Sequence, residues 1–114
     1  MQAGILQNVL ENLSTAVVLL DDDLCLDYMN PASENLFSVS NPKARSVPWS
    51  TPVHGPDTLF QRMQDSRSSG QPFSEREIIL TLANGNEITT DCIITPLTET
   101  QGKRELLVEI LSLD

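Results

Sequence analysis

Few side chains in this sequence belong to the types that do chemistry, and their spacing limits what they can do. The histidine is His54, set between Pro52 and Pro56. The cysteines, Cys25 and Cys92, stand far apart, each inside an apolar, strand-like stretch. A closed zinc site takes about four nitrogen or sulfur ligands, and three scattered residues do not supply them. Asp21, Asp22 and Asp23 suggest a site for a hard cation. Consecutive side chains in a tight turn do not all converge on one ion, so a solvated turn is expected there. Asp27 and Asp91 are candidates for acid–base work, which needs two carboxyls with displaced pKa values in one cleft. Both lie on predicted strands and are expected to face solvent. No catalytic residue, cofactor or metal is assigned on these grounds, and the thiols read as buried structural cysteines.

The elements that position these residues follow from hydrophobic spacing. Ile5, Leu6, Val9, Leu10 and Leu13 fall at helical intervals, which predicts an amphipathic helix over about residues 4–13. A helix that short is marginal alone, so its apolar stripe must pack on something. Ala16 to Leu20 and Leu24 to Met29 flank the Asp cluster and predict a β-hairpin. Asn30 is a strong N-cap and Pro31 suits the first helical position. A helix is predicted from Pro31 to about Phe37, with Ala32, Leu36 and Phe37 facing inward. Residues 38–57 hold Pro42, Pro48, Pro52 and Pro56 and read as loops with Trp49 tucked against the core. A further helix is predicted from Asp57 to Ser69, its inner face made by Leu59, Phe60 and Met63, with Gly70 as the C-terminal stop. Asn84-Gly85 joins two alternating strands, Glu77 to Ala83 and Glu87 to Leu97. A looser turn leads to a last strand from Leu106 to Leu111. Five strands and a few short helices give an α+β domain, taken to occupy residues 1–114.

The charge balance narrows the partners. Sixteen acidic residues against seven basic ones give a formal net charge of −9. Nucleic-acid backbones are held by clustered cations, and Lys103-Arg104 is the nearest approach to a cluster. Nucleic acid and anionic membrane surfaces are therefore not expected partners. No apolar run is long enough to span a bilayer, and the N-terminus lacks a signal-peptide pattern. Reduced cysteines fit a cytoplasmic location.

The order of elements resembles the PAS fold. PAS domains often carry an Asn-Pro-Ala step where the second strand hands into a helix, and this sequence has it at Asn30-Pro31-Ala32. The stretch from Val17 to Ala32 is similar to the start of the NtrB family of nitrogen regulatory sensor histidine kinases, as is the preceding helix. The stretch from Phe73 through Glu77 to Leu82 resembles the family's third strand. One departure is Asp23, where many PAS hairpins have Gly.

The resemblance implies a cytoplasmic two-component histidine kinase as the parent. Such a kinase would phosphorylate the response regulator NtrC and be switched to phosphatase behaviour by a PII-type protein. These 114 residues would be its regulatory part. The family's phosphoacceptor is a His on a dimerisation helix, which His54 does not match, and no ATP-binding glycine-rich segment is present. PAS kinases of this type imply a homodimer. Ile5, Leu6, Val9, Leu10 and Leu13 are its expected parallel interface, weak enough to form at micromolar concentration or above. Leu111 to Asp114 is the expected exit of the signal. Haem ligation by His54 and flavin photochemistry at Cys25 or Cys92 do not fit the PAS patterns for those cofactors. Two other readings remain open: a metabolite-binding PAS module of a different signalling protein, and a small standalone enzyme using Asp27 or Asp91 as base.

Overall fold

A computed structural model describes residues 8–38, 48–49 and 53–113. The strands are β1 (Ala16–Leu20), β2 (Leu26–Met29), β3 (Val53–His54), β4 (Phe73–Leu82), β5 (Glu87–Pro96) and β6 (Leu106–Ser112). They form one antiparallel sheet in the order β2-β1-β6-β5-β4-β3. The expected five strands are thus six. The addition is the two-residue β3, which pairs Val53 with Leu82 and His54 with Thr81 in a stretch read as loop. A strand that short carries no periodic signal for sequence to reveal. Helices α1 (Pro31–Phe37) and α2 (Asp57–Ser69) complete the described elements, together with a helical turn at residues 8–11.

Alternation decides which face of the sheet is buried. Leu80 and Leu82 on β4, Thr90, Cys92 and Ile94 on β5, and Leu106, Val108 and Ile110 on β6 all lose contact with water. Each set sits at a spacing of two, so all point to one side. From α1, Phe37 meets Trp49 edge-on, with ring centroids 6.1 Å apart, an arrangement aromatic quadrupoles favour. From α2, Leu59, Met63 and Ser66 turn inward. Phe60, expected on that inner face, is 37% exposed. A residue one step along a helix is rotated by about 100°, and the Leu59–Met63 stripe already fills the contact. In α1, Ala32 and Leu36 are half-buried, and Ser33 takes the central position.

The turns deviate from extended geometry at specific points. The left-handed residue of the β1–β2 hairpin is Leu24 (φ 60°), not Asp23. A bulky side chain there is strained, and its burial in the core offsets the cost. A bulge interrupts the β4–β5 register between Glu75 and Ile78. Glu77 (φ 55°) sits in it, and its N–H donates to the Asp91 carboxylate at 3.0 Å. Gly85 (φ 89°) closes the next hairpin, where a side chain would be strained.

Arg104 clasps three distant pieces. Its backbone N–H donates to the Asp22 carboxylate at 3.0 Å, and its guanidinium donates to the Arg67 carbonyl at 2.7 Å, in the last turn of α2. The same guanidinium lies over Gly70 and near Glu99. A cation over the carbonyl end of a helix is doubly favoured, by charge and by hydrogen bonding. Arg104→Ala is expected to lower unfolding stability by about 1–2 kcal/mol, and Arg104→Lys to restore less than half, since ammonium lacks the planar fork. Urea unfolding of the three proteins checks both.

Candidate functional site

The site is assembled at Asn30. Its side chain is fully buried, so every polar atom on it needs a partner. The carboxamide oxygen accepts from the Val17 N–H at 2.9 Å and from the Ser33 N–H at 3.0 Å. The amide nitrogen donates to the Thr15 carbonyl at 2.9 Å and the Leu10 carbonyl at 3.2 Å. Its backbone N–H donates to the Val17 carbonyl, and its carbonyl accepts from the Ser33 hydroxyl at 2.7 Å. One residue therefore joins the N-terminal turn, the linker into β1, the end of β2 and the start of α1. The sequence marked Asn30 as the helix cap; its hold on Leu10 and Thr15 is long-range and had no local signature.

Of the expected interface residues, Leu10 reaches this anchor through its carbonyl. Ile5 and Leu6 lie outside the described residues, as does Asp114. The helical turn ends at residue 11 rather than 13, tightening into three-residue bonds from Asn12 to Val9 and from Leu13 to Leu10. Leu10 is half-buried against the domain, whereas Val9 is 50% exposed and Leu13 is 40% exposed. Leu111, the expected exit, is 41% exposed at the far end of β6. The β1–β6 register sets Ala16 opposite Ile110, which brings the end of the N-terminal segment beside the end of the last strand. Ser14, Thr15, Ala32, Leu36 and Leu111 line a shallow groove of about 310 Å³ between them. The fold thus places the two ends of the domain, read separately from sequence, at one location.

Tyr28 stands at the same seam. Its hydroxyl is the one buried side-chain polar atom without a hydrogen-bond partner among the described residues. Burial, then the nearby charges of Glu11 and Glu34, push its pKa up. Glu11 belongs to the N-terminal turn and Glu34 to α1, so the phenol sits between those two elements.

The remaining chemistry-bearing residues are dispersed. His54 is exposed on β3 and borders an open pocket of about 390 Å³ with Trp49, Leu59 and Phe60. Cys92 is fully buried beside Thr90, while Cys25 is half-buried in an isolated bridge to Pro48, not in a strand. Burial raises both thiol pKa values, so neither is poised as a thiolate. Asp21 caps its own turn, accepting from the Asp23 and Cys25 N–H groups at 2.9 Å. Asp27 and Asp91 are half-buried rather than solvent-facing; Asp91 accepts from the Glu77 N–H, and Asp27 lies close enough to Glu105 that their hydrogen bond, then burial, push the Glu105 pKa up to about 6. Among the described residues no group of three or more His, Cys, Asp or Glu side chains is placed to hold a metal ion.

Fold and site together define a domain of the PAS type, and a family profile for the PAS fold matches residues 4–111. The chain belongs to the PAS family. Its sequence is similar to the sensory histidine kinase/phosphatase NtrB of Klebsiella oxytoca, 30% identical over 80 residues, covering 70% of this chain and 23% of that protein. The NtrB of Vibrio alginolyticus is 28% identical over 106 residues, covering 93% of this chain and 30% of that protein. The chain thus spans about a quarter of the length of these relatives. The crystal structure of the PAS domain of nitrogen regulation protein NR(II) from Vibrio parahaemolyticus superimposes with a TM-score of 0.77, at 26% identity, covering 99% of this chain and 100% of that one. A Rhodobacter sphaeroides LOV protein superimposes at TM-score 0.80 with 12% identity, over 99% of this chain and 69% of that one, a likeness of fold alone.

Asn30→Asp is expected to keep the acceptor bonds to Val17 and Ser33. It would set a carboxylate against the Leu10 and Thr15 carbonyls, releasing the N-terminal turn. Amide exchange at residues 8–13 should accelerate at least tenfold, by loss of about 1.5–3 kcal/mol of charge-sensitive bonding, with smaller change in β5. Asn30→Ala, which strips both halves, should cost about 3 kcal/mol or more of global stability, read by urea unfolding.

Proposed function

We propose that this chain is the regulatory PAS domain of an NtrB-like two-component sensor histidine kinase. In this reading the parent is cytoplasmic and controls nitrogen-responsive transcription through the response regulator NtrC, with a PII-type protein as the nitrogen reporter. The domain contributes by biasing a homodimer between kinase and phosphatase states through packing. The observation that carries the reading is similarity to NtrB along nearly the whole chain.

The geometry supports a packing role. The buried polar side chains Asn30, Ser33, Ser66 and Thr90 all bond to the protein's own backbone. The core they border is aliphatic and aromatic. Among the described residues no helix is long and apolar enough to cross a membrane. Val9, Leu13, Leu111 and Leu113 remain exposed around the two ends of the domain. A second copy packed in parallel on Val9 and Leu13 would remove that apolar surface from water, and would place both copies of Leu111 near the dimer axis. A shift at the N-terminal seam is then passed to β6 by direct adjacency. A two-state element biased by such contacts is what a switch requires.

Sedimentation equilibrium of the isolated domain should show a weak dimer. Val9→Glu combined with Leu13→Glu should raise its dissociation constant at least about tenfold, from loss of roughly 1.5–3 kcal/mol of apolar burial. A wild-type domain that stays monomeric at high concentration overturns the interface. The kinase reading is tested separately by replacing the PAS domain of Klebsiella oxytoca NtrB with this chain. The chimera should phosphorylate NtrC, and Leu111→Asp within it should change the ratio of kinase to phosphatase activity. An unchanged ratio removes Leu111 from the signal path.

A further inference from the structure

Asn84 and Gly85 sit in the turn between β4 and β5, and no other asparagine in the chain precedes a glycine. The loop Ala83–Gly85 is closed by two backbone bonds. The Leu82 N–H donates to the Asn86 carbonyl at 2.8 Å, and the Gly85 N–H donates to the Leu82 carbonyl at 2.9 Å. The Asn86 N–H donates to the Asn84 Oδ1 at 3.0 Å. Ala83 to Glu87 are all exposed. Apart from chain neighbours, no atom lies within 4 Å of where a Gly85 Cβ would stand.

This arrangement suits ring closure within the backbone. The Gly85 nitrogen, once its proton has passed to hydroxide, attacks the Asn84 Cγ. A C–N bond forms and the carbonyl electron pair moves onto Oδ1, where the Asn86 N–H already stands to hold the developing charge. Collapse restores the carbonyl, breaks the Cγ–Nδ2 bond and releases ammonia, which takes its proton from water. Solvent water then opens the cyclic imide at either carbonyl, leaving aspartate or isoaspartate at position 84. The steps are redox-neutral, and water is the co-reactant. Glycine favours the attack, having no side chain to crowd its nitrogen. The Gly85 bond to Leu82 opposes it, but an exposed amide bond has a modest net strength, so opening it slows the reaction roughly fivefold. Asn8, Asn12, Asn35 and Asn86 each precede a residue with a side chain. Asn30 is buried and precedes Pro31, whose nitrogen has no proton to lose.

We propose that Asn84 is a site of spontaneous deamidation, and that its conversion loosens the β4–β5 hairpin beside the end of β6. Either product adds a negative charge close to Glu87 in a chain whose formal net charge is −9. Isoaspartate also routes the backbone through the former side chain, adding a carbon to a loop whose closing bonds fix its length. β5 begins at that loop. Its Thr90 and Asp91 pair with Ser112 and Leu111, and its Thr89 carbonyl accepts from the Leu113 N–H at 2.8 Å. The turn and the end of the last strand are therefore joined through the first residues of β5. The site stands independently of the kinase reading.

Ageing the purified chain in mildly acidic and mildly alkaline buffer tests it, with peptide mapping by mass spectrometry and labelling by an isoaspartyl methyltransferase. Conversion at position 84 should be faster in the alkaline buffer. It should outpace every other described asparagine at least about tenfold. Gly85→Ala, which crowds the nitrogen, should slow it by a similar factor. Because φ is 89° there and alanine is strained, Asn84→Gln serves as the second variant. It keeps the glycine but lengthens the arm that must close the ring, and should show the same loss. In the converted chain, amide exchange at Gly85, Asn86 and Leu113 should accelerate at least about threefold, with β1 unchanged. No conversion at position 84, conversion at the pace of the other asparagines, or a variant that converts as fast as wild type overturns the site. A converted chain whose three amides exchange as before overturns the loosening.

Discussion

The fold depends on one buried carboxamide. Asn30 lies where β2 ends, and chain direction must change there without leaving polar backbone groups stranded. An acceptor is needed for the orphan N–H groups of α1, and a donor for carbonyls arriving from the N-terminal segment. Asn offers both on a short arm. Ser or Thr would supply one hydroxyl and Asp no donor, so each would satisfy the cap and abandon Leu10 or Thr15. Buried amide bonds of this kind are individually modest, about 1 kcal/mol each. Their loss is costly because desolvated groups left unpaired carry the penalty. The hairpin, the first helix and the N-terminal turn therefore keep their mutual geometry through the same side chain.

From that anchor the sheet carries position in a definite direction. β1 is bonded on one edge to β2 and on the other to β6. The Val17 backbone is held by Asn30 on both its N–H and its carbonyl, while the same residue pairs with Glu109. A displacement of the N-terminal turn thus reaches β6 through two adjacent ladders with no loop between. Close-packed interiors shift between discrete arrangements rather than deform smoothly. The Tyr28 hydroxyl, buried without a hydrogen-bond partner among the described residues, lies near the same seam.

What the sequence disclosed and what it withheld follow the range of the forces involved. Alternation in Leu80–Leu82, Thr90–Ile94 and Leu106–Ile110 is local, and each set is buried. The Asn30-Pro31 step and Gly70 announce helix ends through backbone chemistry visible within a few residues. Phe60 was misplaced because helical spacing gives an apolar arc and not its exact edges. β3 was missed because two residues between prolines have no period. Leu24 in the left-handed region contradicts its own type, and packing in the core is the reason it stays. The Arg104 clasp, the hold of Asn30 on Leu10 and the meeting of Asp27 with Glu105 link residues far apart in the chain. No pattern within a segment encodes such pairs.

The distribution of charge explains why those long-range links matter more here than in a neutral domain. The first 42 residues contain no Lys or Arg, so the hairpin end is acidic by construction. Its relief comes from later in the chain: Arg67 and the Arg104 backbone meet Asp22, as Arg62 meets Glu75 beside Phe73 elsewhere on the surface. Exposed pairs of this kind contribute little singly. Arg104 differs because its guanidinium is largely shielded and hydrogen-bonded to a helix end, so it fixes α2 and the β5–β6 turn against the hairpin at once.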